Sequence, residues 1–151
     1  MGQQQLLLVI LVTIIVGIAT VVAINVFGTS AASANVDAVR NDVLGIASSA
    51  QGWYIKPTMM GGGGNSFGPD PTTGREMTFA DFNFSADSIS TDGLSAINMN
   101  GKYVIVNADQ SFTITAHPAS DDDYDASAGF SATASDPLEA TVTKGSVDWT
   151  Q

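Results

Sequence analysis

Leu6-Leu7-Leu8-Val9-Ile10-Leu11-Val12-Thr13-Ile14-Ile15-Val16-Gly17-Ile18-Ala19-Thr20-Val21-Val22-Ala23-Ile24-Asn25-Val26-Phe27 is hydrocarbon on every face of the helix it would form, relieved only by Thr13, Thr20 and Asn25. At about 1.5 Å per residue such a helix is roughly 33 Å long, enough to cross the hydrocarbon core of a bilayer. No charged residue occurs anywhere in residues 1–36. A surface of this kind is not stable in water. It lies in lipid, is removed as a signal, or is buried against copies of itself.

A secretory signal needs a basic leading segment, a short apolar stretch and a small-residue cleavage site. Ala32-Ser33-Ala34 offers the last of these. However, Met1-Gly2-Gln3-Gln4-Gln5 carries no Lys or Arg, and the apolar run is longer than the signal type uses. The segment is therefore expected to be retained. Myristoylation at Gly2 calls for Ser or Thr where Leu6 stands. A plain transmembrane anchor fits the run's length, although neither end has a basic flank and Phe27 is the run's one aromatic residue.

Downstream, Gly28-Thr29-Ser30 interrupts the hydrocarbon. Val36, Val39, Val43, Ile46, Ala50 and Trp53 then recur at three- and four-residue steps, the mark of an amphipathic helix. These six are the expected packing positions between helix and domain. Asp37 and Arg40 are spaced for a weak ion pair. Pro57 biases Lys56 away from helical geometry and puts the helix end near Trp53-Tyr54. One helix is thus expected over residues 1–57, with an apolar assembly or membrane half at 3–27 and an amphipathic half at 31–54. A helix apolar all round needs neighbours all round. Gly17, Ala19, Thr20 and Ala23 would let other helices approach closely, which favours self-association over a solitary anchor. The expected assembly positions are Gln5, Leu7, Leu8, Leu11, Ile14, Ile15, Gly17, Ile18, Val21, Val22 and Phe27.

The remainder of the 151-residue chain, residues 58–151, is rich in Gly, Ser, Thr, Ala and Asp, and the whole carries a formal net charge of −10. That is enough chain for one small domain. Lys and Arg occupy only five positions, so no basic patch exists to neutralise phosphates, and nucleic-acid binding is excluded as a function class. The absence of cysteine excludes disulfides, thiolate metal sites and thioether-linked haem.

Residues 58–75, with Gly61-Gly62-Gly63-Gly64, Pro69 and Pro71, read as a long surface loop. Met77-Thr78-Phe79 and Phe82-Asn83-Phe84 alternate like strands, with a slip at Ala80-Asp81 that suggests a bulge. Residues 96–99 and 102–106 form the clearest hairpin, around a two-residue Asn100-Gly101 turn. Residues 111–116 alternate Phe112, Ile114 and Ala116 on one face. Residues 140–143 and 146–149 form a second hairpin around Lys144-Gly145. The expected fold class is α+β, a long N-terminal helix packed on a small antiparallel sheet.

No catalytic constellation emerges, and the chain is not expected to be an enzyme or to need a cofactor. His117, the only histidine, precedes Pro118 at a strand end and reads as a surface or strand-capping residue. Asp121, Asp122, Asp123 and Asp125 could offer carboxylates to Ca2+, but without the alternating ligand spacing of an EF-hand, so solvated charge is the plainer reading. Asn83-Phe84-Ser85 is a formal glycosylation sequence set inside an expected strand.

The residues Gln3-Gln4-Gln5-Leu6-Leu7-Leu8-Val9-Ile10-Leu11-Val12, the later Ile14-Ile15-Val16-Gly17-Ile18-Ala19 and the amphipathic continuation resemble the type IV filament superfamily over residues 1–57. That group comprises type IV pilins, archaeal pilins and the pseudopilins of type II secretion. The resemblance implies a pilin-like lollipop whose subunits wait in the cytoplasmic membrane. Inner-membrane assembly machinery extracts them into a helical homopolymer cored by the apolar helices. It implies a cell-surface or extracellular filament, a fimbrium displaying acidic β-rich domains for adhesion, surface attachment or motility. A pseudopilin of a secretion system and a monomeric, membrane-anchored exported binding domain are the alternatives. Bacterial members usually begin with an N-methylated phenylalanine and place a glutamate close behind it, whereas this chain has Met1 and Gln5. Gln5 accepts a hydrogen bond but cannot neutralise a neighbour's amine. If any part of the helix unwinds in a filament, Gly28-Thr29-Ser30 is the expected place.

Overall fold

The amphipathic register of residues 39–54 decides where the sheet lies. The computed structural model describes residues 2–71, 74–121, 124–125, 127, 129–130 and 137–150. One helix, α1 (Gly2–Ile55), accounts for the first third of the chain and runs through Gly28-Thr29-Ser30 without a break. The chain divides into two compact units, Met1–Ala34 and Asn35–Gln151.

In the second unit, β1 (Ser88–Ile89), β2 (Ser95–Ile97), β3 (Gly101–Asn107), β4 (Ser111–Pro118), β5 (Leu138–Thr143) and β6 (Val147–Thr150) form one antiparallel sheet in sequence order. The α+β class follows. Val39, Val43, Ile46, Ala47, Ala50, Trp53 and Tyr54 of α1 are buried in one core with Tyr103, Ile105, Phe112, Ile114, Ala116, Ala140 and Val142 of the sheet. Alternation along β4 puts Phe112, Ile114 and Ala116 in that core, as a period of two requires. Gln51 ties the helix to the β5–β6 turn through its Nε2, 3.1 Å from the Thr143 carbonyl.

Three local expectations are corrected. Residues 77–84 contain no strand. A 3-10 turn, Phe79–Asp81, occupies the supposed bulge, and its capping box joins Thr78 and Asp81. That geometry still buries Met77, Phe79 and Phe82, so the alternating phenylalanines reported burial and not strand pairing. The second correction concerns the first hairpin, which turns at Met99-Asn100 and not at Asn100-Gly101. The Asn98 N–H donates to the Gly101 carbonyl at 3.0 Å, while the Asn98 side-chain oxygen accepts from the N–H groups of Asn100 and Gly101. Gly101 already belongs to β3, and a Cβ there would stand 2.2 Å from the His117 carbonyl, so close strand approach explains the glycine. The Lys144-Gly145 turn is found as expected, closed by a 2.9 Å bond from the Thr143 N–H to the Ser146 carbonyl.

The third correction is the loop of residues 58–75, which caps the helix and fills the core. The N–H groups of Gly63 and Asn65 donate to the carbonyls of Trp53 and Tyr54 at 2.9 and 2.8 Å, supplying partners that the last helical turn otherwise lacks. A Cβ on Gly63 would lie 2.1 Å from the Ser66 carbonyl oxygen, so this route is open only to glycine. Beyond it, Phe67 is fully buried, with its ring 4.6 Å from Tyr54 and 5.1 Å from Phe112. Phe67→Ala is expected to cost about 3–5 kcal/mol, read as a lower denaturant midpoint with an unchanged slope. A midpoint matching the parent would show that the loop is not part of the core.

Candidate functional site

The first unit has no core of its own. Every described residue from Gly2 to Ala31 is exposed, with Leu7 at 70% and Phe27 at 74%. All the expected assembly positions, from Gln5 and Leu7 to Val22 and Phe27, lie in this exposed set. The helix here is long and apolar enough to cross a membrane. Its hydroxyls do not spoil that surface. Thr13 Oγ donates to the Ile10 carbonyl at 2.8 Å, Thr20 to Val16 at 2.8 Å and Thr29 to Val26 at 3.0 Å, so each finds its partner inside the helix. Internal satisfaction is what a hydrocarbon or dry protein environment demands of a polar group. Leaving these side chains in water costs roughly 1.5–3 kcal/mol for each Leu, Ile, Val or Phe, so the surface requires either lipid or neighbours.

The second unit holds a polar centre that helical periodicity alone did not disclose. Asp42 lies on the inward stripe of α1, about four turns beyond Phe27, among residues that are otherwise apolar. Its Oδ2 accepts hydrogen bonds from Tyr103 Oη at 2.7 Å, Asn100 Nδ2 at 2.8 Å and Asn98 Nδ2 at 2.9 Å. The ring of Tyr103 is itself fully buried. Burial works against the charge on Asp42, but the donors from Asn100, Tyr103 and Asn98 outweigh it and hold the carboxyl below its ordinary value of 3.8. Burial first, and then the bond to Asp42, push the Tyr103 phenol far above its usual value of 10.0. Asn35 closes the same corner, donating to the Asn100 carbonyl at 3.1 Å and accepting from the Ser120 N–H at 3.1 Å. The arrangement fixes the hairpin β2–β3 to the helix through one ionised carboxylate. Three donors converging between two elements were the signal, and they could not be seen without the hairpin's register.

Of the expected packing positions, Val39, Val43, Ile46, Ala50 and Trp53 are buried and Val36 is half-buried. Ala47 and Tyr54 join them.

His117 is buried, which corrects its reading as a surface residue. It pairs across the ladder with Lys102, also buried, whose ammonium donates to the Asp125 carbonyl and lies 5.1 Å from the centre of the Tyr124 ring. Neither imidazole nitrogen has a hydrogen-bond partner among the described residues. Burial lowers its pKa below 6.5, with Asp121 pulling it up and Lys102 pushing it further down. The unfolded chain therefore takes a proton here before the folded chain does, and the histidine's contribution to stability fades as pH drops below 6.5. The stability difference between the parent and His117→Leu is expected to move in the variant's favour from about pH 7.5 to about pH 5, as read by urea unfolding. A difference independent of pH would contradict a neutral buried imidazole. Asp42 gives a second decline with the same sign below 3.8, as the pH falls through its lower folded value.

Asp122 and Asp123 of the acidic run lie outside the described residues. Asp125 Oδ1 accepts from the N–H and Oγ of Ser127 at 2.8 and 2.6 Å. Among the described residues no group of three or more histidine or carboxylate side chains is placed to hold a metal ion.

One long apolar N-terminal helix continuing into a stripe packed on an antiparallel sheet is a pilin-like architecture. No protein-family model matches the chain, and no curated protein or solved structure matches it either.

Proposed function

We propose that this chain is a structural, non-enzymatic subunit of an extracellular type IV pilus-like filament. It inserts in the cytoplasmic membrane before assembly and polymerises through residues 3–27 of α1. The observation that carries the reading is the division within one helix. Residues 39–54 bury an apolar stripe against the subunit's own sheet, whereas residues 6–27 are apolar on every face and bury none. A helix serving only as an anchor needs the second property. A filament subunit needs both, because its apolar half becomes core and its domain becomes surface. The resemblance of residues 1–57 to type IV filament subunits supports the same reading, and the domain's acidic character suits a displayed, soluble surface. Its partners are further copies of itself and an inner-membrane assembly machine, without cofactor or nucleic acid. Adhesion, surface attachment or motility is the role such a filament serves.

Electron microscopy of sheared cell-surface material, joined to mass spectrometry of its N-terminus, tests the proposal. Filaments containing this chain are expected. Their absence, together with one chain per detergent micelle, would instead identify a monomeric anchored domain.

A further inference from the structure

The function proposed above makes no use of Asn83-Phe84-Ser85, the chain's one Asn-X-Ser/Thr sequence. A place inside a strand would have tied the backbone of this segment into a ladder and made it a less pliable acceptor. The structure instead puts it in irregular backbone between the Phe79–Asp81 turn and β1, with Asn83 and Ser85 exposed and Phe84 half-buried between them. The Phe84 ring lies 5.6 Å from Phe79 and 5.2 Å from Tyr103, so it anchors the segment to the core between the two exposed polar residues. Both polar residues line an open cleft of about 450 Å³, with Asn41, Asp87 and Asn98 on its walls, which leaves room for a bulky substituent.

Five of the six other asparagines in residues 35–151 have a local structural account. The Asn35, Asn98, Asn100 and Asn107 amides each donate within the domain, Asn107 to Glu76 and to the Met77 carbonyl. Asn65 adopts a φ of 71°, a conformation that asparagine tolerates better than most residues. The Asn83 side chain makes no hydrogen bond among the described residues, and the same holds for Asn41 on the wall of the same cleft and for Asn25 in the apolar run; of these three only Asn83 has a hydroxyl residue two places on.

We propose that Asn83 is an acceptor for N-linked glycosylation from a lipid-phosphate-linked oligosaccharide on the outer side of the membrane. In the transfer, Asn83 Nδ2 bonds to the anomeric carbon of the first sugar, and the bond from that carbon to the donor's phosphate oxygen breaks. The amide proton passes to a base of the transferase, and the lipid phosphate leaves with the bonding electrons. Ser85 supplies the hydroxyl that the acceptor sequence requires two residues on. This inference rests on the exported location proposed above.

The test is mass spectrometry of the full-length chain from its native cells, recovered separately from surface and cytosolic fractions. The tryptic peptide bounded by Arg75 and Lys102 contains Asn83 and no other cleavage site. In surface chain this peptide is expected to carry an added sugar mass. Asn83→Gln and Ser85→Ala should each abolish the addition, whereas Ser85→Thr should keep it. Both positions are exposed, so circular dichroism of the variants should match the parent. A bare peptide in surface chain overturns the glycosylation alone. A bare peptide in a chain confined to the cytosol overturns it together with the exported location. An added mass that survives Asn83→Gln places the sugar elsewhere and also overturns the assignment.

Discussion

Asp42→Ala is expected to lower the thermal unfolding midpoint of the full chain in detergent by roughly 10–15 °C, equivalent to about 3 kcal/mol. The carboxylate is the shared acceptor for Asn98, Asn100 and Tyr103, so alanine removes three charge-assisted bonds in one step. The larger cost is what remains. Tyr103 is fully buried, and its hydroxyl would be left without the oxygen it donates to. Asp42 itself is only half-buried and borders the open cleft, so water replaces part of the loss, and the expected cost falls short of the roughly 5 kcal/mol that fully buried pairs reach. Tyr103→Phe removes one donor together with its demand and should cost about 1 kcal/mol. Because both groups belong to one network, the double variant should be less destabilised than the sum of the single variants. A shift of under about 2 °C for Asp42→Ala would mean that the hairpin is held to the helix by apolar packing alone.

How far the sequence disclosed this arrangement depended on the kind of order involved. Periodic order was legible: the 3.6-residue recurrence located the buried face of α1, and the two-residue recurrence located β4 and its partners. What interrupted a period was not. Asp42 interrupts an apolar stripe and drew no expectation, because its three donors come from residues 98–103 and only the hairpin register brings them beneath the helix. Phe67 lies in a stretch dominated by Gly and Pro, and its burial depends on the loop folding back across the helix terminus. Met77, Phe79 and Phe82 presented a strand pattern, yet the Thr78–Asp81 capping box won locally and gave a 3-10 turn. In each case contacts between residues distant in sequence, or one local side-chain bond, outweighed the pattern around them. His117 was misjudged because Pro118 marked a strand end, which is usually exposed, while Tyr124 and Asp125 of a later segment lie against its neighbour Lys102.

The same contrast explains why the apolar half of α1 needed so little structural help to interpret. Its meaning lies in composition, which no register can alter.

On the proposed function, Ile15→Asp is expected to abolish filaments. The residue lies in the middle of the run of residues 6–27, where an aspartate costs roughly 2.5–3.5 kcal/mol in a bilayer-spanning helix. In the proposed homopolymer the substitution recurs in every subunit, so a cost borne once by an anchored chain is repeated along the whole core. Burial among neighbours offers no relief, because the domain's basic residues all lie beyond residue 39 and no Lys or Arg exists in the run to pair with the new carboxylate. Ile15→Val keeps the surface apolar and should leave filaments intact, which separates charge from a change of shape. Quantifying the variant in membranes distinguishes failed insertion from failed polymerisation. Chain present in the membrane without filaments locates the defect in helix-to-helix burial, whereas chain missing from the membrane locates it one step earlier. Normal filaments in negatively stained Ile15→Asp cells would show that this helix is not the filament core.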